Sequence, residues 1–375
     1  MPRLRLRVEW QPQVSNRPAY RIPSMREIEE IPWNGFNVVS TFSGGGGSSL
    51  GYRLAGFRVL WANEFVPAAA DTYRANASPG TVVDTRDIRE VTGADILNTI
   101  GLDVGEIDLL DGSPPCAAFS MCGRREAKWG KVTAYSDTRQ RVDDLFFEFT
   151  RLLAELRPKT FVAENVAGLA RGKAKGYFLR ILAAMREAGY RVVCRELDAQ
   201  WLGVPQRRRR LIFVGVRDDL GVGPAHPRPL PYRYTLRDAI GDLPEAFTDA
   251  ERDPETGEPL SIRGYSIEPF WRELEPGRHH PKRMTLWRLA WDQPSPTLVA
   301  RSGKKGTAGL THPDHPRYFT VRELRRIAGF PNDFQLTGDY GKRVERMGRA
   351  VPPPMMARVA ETVRDQILSK VGAAG

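Results

Sequence analysis

Cysteine is scarce: Cys116, Cys122 and Cys194 are the only three in 375 residues. Three thiols are too few for a disulfide framework, and their spacing matches no metal-ligand pattern, so a reducing cytosol suits the chain and no metal is expected. Long apolar runs are missing too. No stretch approaches membrane-spanning length, and Met1-Pro-Arg-Leu-Arg-Leu-Arg7 lacks the apolar segment of a secretory signal, so no membrane partner is expected. There are no internal repeats. Negative charge is in deficit: 56 Lys and Arg against 45 Asp and Glu leave a net charge of +11. That excess points to a polyanion as partner, although an arginine-favouring genome alone would also yield a basic protein. What is present fits a globular protein, with 41% hydrophobic and 27% charged residues. At 375 residues, two domains are the default expectation.

From residue 36 short apolar runs alternate with helical stripes. Phe36 to Phe42, Phe57 to Asn63, Thr81 to Val83, Ile107 to Leu110, Thr160 to Ala163, Tyr190 to Leu197 and Leu211 to Val216 read as strands. Val142, Leu145, Phe146, Phe149, Leu152, Leu153 and Leu156 fall on one helical face, as do Tyr177, Phe178, Ile181, Leu182 and Met185. Such alternation predicts an α/β fold with a doubly wound, mostly parallel sheet, whose ligands sit at the carboxyl ends of the strands. After Arg217 the texture changes. The chain becomes rich in Pro, Arg, Trp and Tyr, which predicts a smaller, irregular and partly β domain. Order returns with a helix over Thr320 to Gly329, stopped by glycine, and another over Met355 to Ser369 after three prolines. Residues 1–35 are a basic extension without an assigned role.

Four motifs lie at predicted strand ends. The first is Phe42-Ser-Gly44-Gly-Gly46-Gly47, followed one strand later by Glu64. Glycines let backbone approach a ligand, and an acidic residue after the second strand can accept ribose hydroxyls. The spacing is not Gly-x-Gly-x-x-Gly, which disfavours a nicotinamide cofactor and fits a nucleoside without pyrophosphate better. Asp87-Ile88 could cap an adenine, or simply start a helix. The second motif is Pro115-Cys116. A lone cysteine is usually a buried small hydrophobe, yet the Ser-Pro-Pro turn would lift this thiol out of the core. The loop Ala117 to Asp137, with Gly123, Arg124, Arg125, Lys128, Gly130 and Lys131, could close over a phosphate backbone and favour the thiolate, or be a solvated loop. The third is Glu164-Asn165, ending a strand. Partial burial would raise the Glu164 pKa and let it donate a proton near neutrality, the alternative being a helix cap. The fourth is Gln206 with Arg207 to Arg210. Four arginines are commonly a solvated patch. Entering a strand, however, Arg208 and Arg210 share a face and could orient a carboxylate or a base carbonyl.

In this order the motifs resemble those of the DNA cytosine-5 methyltransferases. The tail agrees: Arg317 to Phe334, with Glu323 and Gly329-Phe-Pro331, looks like the ninth family motif, and Gly348-Arg-Ala-Val-Pro352 like the tenth. The resemblance implies a Rossmann-like S-adenosylmethionine-dependent methyltransferase domain (36–219 plus 346–372), a target-recognition domain (220–320) and a hinge segment (321–345). It implies S-adenosylmethionine as donor, duplex DNA as substrate, a monomer, and a prokaryotic or phage-encoded enzyme acting in the cytoplasm at the nucleoid. Carried over by position, Phe42, Gly44, Gly46, Gly47 and Pro115 line the donor. Glu64 holds its ribose, Phe65 stacks on its adenine, and Asp87 with Ile88 frames the adenine edge. Cys116 is the nucleophile, Glu164 contacts ring N3, Asn165 supports the active-site turn, and Arg208 with Arg210 anchors the base and Glu164. Arg349 and Ala350 lie beside the donor.

Two positions depart from the family pattern. Ala117 stands where Gln usually follows Pro-Cys, and Arg349 replaces the Asn of the tenth motif. A guanidinium beside a sulfonium is unfavourable unless an anion accompanies it. Arg349 therefore reaches outward to a DNA phosphate, or weakens activity, or pairs with a carboxylate on the donor. The last alternative makes the donor carboxy-S-adenosylmethionine and the product 5-carboxymethylcytosine. Two further functional classes stay open: an RNA methyltransferase and an inactive DNA-binding relative, the latter opposed by the retention of Cys116, Glu164, Arg208 and Arg210.

Overall fold

The computed structural model describes residues 17–115, 133–135, 138–140, 144–244, 250–300 and 309–371. Cys116, Ala117, Val142 and the basic loop residues Arg124, Arg125, Lys128 and Lys131 lie outside them. The strands are β1 (Asn37–Thr41), β2 (Arg58–Asn63), β3 (Val82–Asp84), β4 (Leu109–Gly112), the short hairpin β5 (Thr133–Tyr135) and β6 (Thr138–Gln140), then β7 (Thr160–Val166), β8 (Tyr190–Asp198) and β9 (Arg209–Arg217). Seven of them form one sheet in the order β3-β2-β1-β4-β7-β9-β8. Only β9 runs against its neighbours, β7 and β8. The order reverses between β1 and β4, and the crevice at such a reversal is where an open α/β sheet offers a ligand site.

Period-two alternation explains why the sheet is covered on both sides. Val39, Leu110, Phe161 and Phe213 face one layer, containing the helices Gly93–Ile100, Leu145–Leu156 and Lys175–Glu187. Val38, Leu109, Val162, Ile212 and Val214 face the other, against Tyr52 and the helix Pro353–Val363. Each large apolar side chain so buried contributes about 1.5–3 kcal/mol.

A second core lies beside the first. It joins Leu50 to the helices Leu236–Ile240, Val321–Ile327 and Tyr340–Arg349, and it takes in Ile28 of the N-terminal helix Met25–Glu29. The sheet β10 (Arg278–His280), β11 (Arg283–Arg288) and β12 (Leu310–Thr311) adjoins it. Helix Val321–Ile327 begins with a capping box between Thr320 and Glu323, and the same Glu323 holds buried Arg317 by two bonds of 2.9 and 2.8 Å. No helix among the described residues is long and apolar enough to cross a membrane.

Three expectations shift. β7 runs on through Glu164 and Asn165 to Val166, because β9 supplies ladder partners as far as Arg210. The arginine run enters β9 at its amino end, not at a carboxyl end; the reversed strand brings that end to the same edge of the sheet as the other motifs. The last helix starts at Pro353, since proline in a first turn lacks only an N–H that would be unpaired anyway.

Gly215 of β9 lies opposite Phe161, and an added Cβ would fall 1.9 Å from the ring. Gly215→Ala is therefore expected to destabilise the protein by about 3 kcal/mol. The urea midpoint checks this, and an unchanged midpoint would contradict the packing described.

Candidate active site

The turn after β1 is shaped by backbone that side chains disfavour. Phe42 adopts φ 51°, Gly44 57° and Gly46 92°. A non-glycine residue in this region costs on the order of 1 kcal/mol, so Phe42 is held there by its surroundings. Gly47 opens the helix Gly47–Leu54 and touches the C-terminal segment so closely that a Cβ would lie 2.4 Å from the Val351 carbonyl. The turn, the ends of β2, β4 and β7, and residues 297–300 and 346–351 enclose a cleft of about 490 Å³. That volume suits a nucleoside-sized ligand.

On the glycine side, Glu64 is nearly buried and accepts the amides of Gly44 and Val66, both at 2.7 Å. Burial pushes its carboxyl up, against those amides and the charges of Arg346 and Arg349. Each oxygen keeps acceptor capacity for a hydroxyl. Phe65, 36% exposed on the cleft wall, offers a ring face for stacking. Asp87 and Ile88 also line the cleft, and the Asp87 carboxylate accepts the Arg89 amide at 3.0 Å as the cap of a short helical turn. Gly46 does not line the cleft; it faces Tyr73.

The opposite side is built from the β4 and β7 ends and the start of β9. Glu164 is buried and pairs with Arg210 at 2.7 Å. Burial pushes its carboxyl up, while Arg210, Arg208 and the Ser113 hydroxyl pull the other way. Asn165 donates to the Pro114 carbonyl at 3.0 Å and so ties β7 to the Pro114-Pro115 turn. Pro115 faces the cleft, and the next residue, Cys116, lies outside the described residues.

Arg208 differs from the expectation. It makes no hydrogen bond to Glu164 and acts on it only as a nearby charge. Its guanidinium, 1% exposed, donates instead to the carbonyls of Leu298 (3.1 Å), Gly348 (3.0 Å) and Arg349 (3.3 Å). The strand had not begun at this position, so the alternation argument did not fix the side chain's target.

Several wall residues escaped sequence reasoning. Thr297 to Ala300 reach the cleft because Ser295 pairs with Gln206 and Arg207, and Leu298 donates to the Gln206 side chain at 3.2 Å. Their sequence gave no signal. Asp111, a carboxyl inside an apolar strand, was such a signal. It lies behind the site, accepts the hydroxyls of Ser40 and Tyr52 at 2.9 Å, and burial pushes it up to about 7. Arg346 and Arg349 both line the cleft and share Glu345: Arg349 binds one oxygen through Nε and Nη2, each at 2.8 Å, and Arg346 the other at 3.1 Å.

Comparisons with known proteins agree with this geometry. Residues 36–365 match the family described as C-5 cytosine-specific DNA methylase. The type II methyltransferase M.PspPI of Psychrobacter sp. is 33% identical, over 90% of this chain and 81% of its own length. M.Sau96I of Staphylococcus aureus is 32% identical, over 90% and 78%. Among solved structures, a DNA modification methyltransferase encoded within an Escherichia coli prophage superposes with a TM-score of 0.72 at 24% identity, covering 89% of this chain and 99% of that one. A DNMT2 variant of Spodoptera frugiperda gives 0.60 at 16% identity, covering 90% and 100%; both likenesses are of fold. The chain belongs to the C-5 cytosine-specific DNA methylases and is a DNA (cytosine-5-)-methyltransferase.

Proposed function

We propose that the cleft binds S-adenosylmethionine across the glycine turn and receives a cytosine swung out of duplex DNA, and that Cys116 bonds transiently to cytosine C6. The observation that carries this reading is the facing of two carboxyls across one cleft: Glu64 on the glycine side and Glu164 on the other. The residues present fit the donor. The turn brings bare backbone to the cleft, Glu64 faces it with acceptor capacity for ribose hydroxyls, and Phe65 offers a stacking face. Phe42, Gly44, Gly47, Asp87, Ile88, Pro115 and Ala350 complete the wall. When bound, the donor supplies an electrophilic methyl group on sulfur.

Cytosine C5 is a poor nucleophile until a thiolate adds at C6. Glu164 delivers a proton to N3, which places an enamine across C4 and C5, and Arg210 holds the carboxyl in line. Asn165 fixes the Pro114-Pro115 segment that precedes Cys116 in the sequence. Loss of the C5 proton then expels the thiol. Neither ring face is open in a stacked duplex, so the base must leave the helix. Residues 220–320 read the sequence, and the β10–β11 hairpin there presents exposed Arg278, His279, Lys282 and Arg283 to the groove or the phosphates. The relatives named as type II methyltransferases extend this reading to a modification enzyme of a restriction system.

Glu64→Ala is expected to weaken S-adenosylmethionine binding by about tenfold or more, measured by calorimetry; unchanged affinity would remove the donor from this cleft. Glu164→Gln is expected to lower kcat by about 10²–10⁴ while DNA binding persists. The working form of Glu164 is protonated, so activity falls as pH rises through its raised pKa. Arg210→Gln removes a group that pulls this pKa down, and the alkaline limb of the rate profile should move to higher pH. A limb that stays or moves down contradicts the role of Glu164 as acid.

A further inference from the structure

Arg349 stands at the junction of the two halves of the cleft. Its own carbonyl and that of Gly348 are held by Arg208, whose charge acts on Glu164 on the base side. Arg349 lines the cleft, and its charge also acts on Glu64 on the glycine side. Resting on the donor site proposed above, we infer that Arg349 binds a carboxylate carried on the donor's transferable carbon, so that the chain uses carboxy-S-adenosylmethionine and forms 5-carboxymethylcytosine.

Charge supports the assignment. A methyl-bearing sulfonium brings a cation toward a guanidinium, a repulsion that disfavours it relative to a donor that also carries an anion. Glu345 holds both Arg349 and Arg346, and these two arginines stand at the cleft wall on the donor side proposed above. A donor carboxylate brings a negative charge to that wall and offers the planar partner that a guanidinium fork matches. Arg346 is not the competing choice for this role. Its stem packs over the glycine turn, where a Cβ on Gly45 would lie 3.6 Å from the Arg346 Cβ.

The chemistry balances without a further reagent. Activated C5 attacks the methylene carbon of the donor. The C–C bond forms as the C–S bond breaks, and the electron pair stays on sulfur as a neutral thioether. The C5 proton then leaves and the bond to C6 opens, with the carboxylate retained in the product.

The full-length protein should be titrated calorimetrically with S-adenosylmethionine and with carboxy-S-adenosylmethionine. DNA incubated with an equal mixture of the two is then digested, and its nucleosides weighed. The parent should bind the carboxylated donor about tenfold or more tightly and yield mainly 5-carboxymethylcytosine. Arg349→Asn should reverse the preference, and Arg349→Lys, which keeps the charge but not the fork, should retain part of it. Equal affinities in the parent, a preference for the methyl donor, or an unchanged ratio in Arg349→Asn would overturn the inference. If the parent binds S-adenosylmethionine alone and yields 5-methylcytosine, the inference falls and the donor site stands. If neither donor binds, both fall.

Discussion

The buried guanidinium of Arg208 is the constraint on which the rest of the site depends. It spans three pieces of chain that are far apart in sequence: the start of β9, the segment ending at Leu298, and the Gly348-Arg349 end of a C-terminal helix. Burial and the nearby Arg210 both oppose its charge, and the carbonyls and Glu164 offset them. Removing a partner from such a buried charge typically costs about 3–5 kcal/mol. The clamp therefore fixes how the start of β9, residues up to 298 and the C-terminal segment at 348–349 stand around the cleft, a geometry that the proposed group transfer cannot leave loose.

Around this clamp the fold collects buried acids. Glu64, Asp111 and Glu164 lie at or behind the ends of β2, β4 and β7, and burial pushes all three carboxyls up. Their surroundings separate their roles. Glu64 is oriented by backbone amides on the glycine side, Asp111 is enclosed by hydroxyls, and Glu164 alone of the three has a direct guanidinium partner. In the proposed function these surroundings suit a ligand holder, a buried support and a proton donor.

Much of this was legible in the residues because strands and helices here obey simple periods. The short apolar runs alternating with helical stripes predicted a doubly wound sheet, whose two covered faces take Val39 and Leu110 on one side and Val38 and Leu109 on the other, and the stripe from Leu145 to Leu156 predicted its helix. Glycines at 44 and 47 and acids at 64 and 164 each have ordinary structural uses, and it was their joint placement at predicted strand ends that pointed to the cleft they line. The rest depended on contacts between distant segments. Nothing in Thr297-Leu-Val-Ala300 suggests a wall residue until Ser295 pairs with Gln206. Arg208 looked like Arg210 because strand periodicity was assumed one residue too early. The reversed direction of β9 is likewise a property of topology, which no local pattern encodes.

The proposed chemistry requires a covalent bond to the flipped base. Duplex DNA carrying 5-fluorocytosine at a verified target should be incubated with the protein and its preferred donor, and the product resolved under denaturing conditions. The C5 fluorine cannot leave as a proton does, so the account predicts a stable protein–DNA adduct whose peptide map places the linkage on Cys116. Turnover of the unmodified target with no adduct on the fluorinated one, or an adduct at another residue, would contradict it.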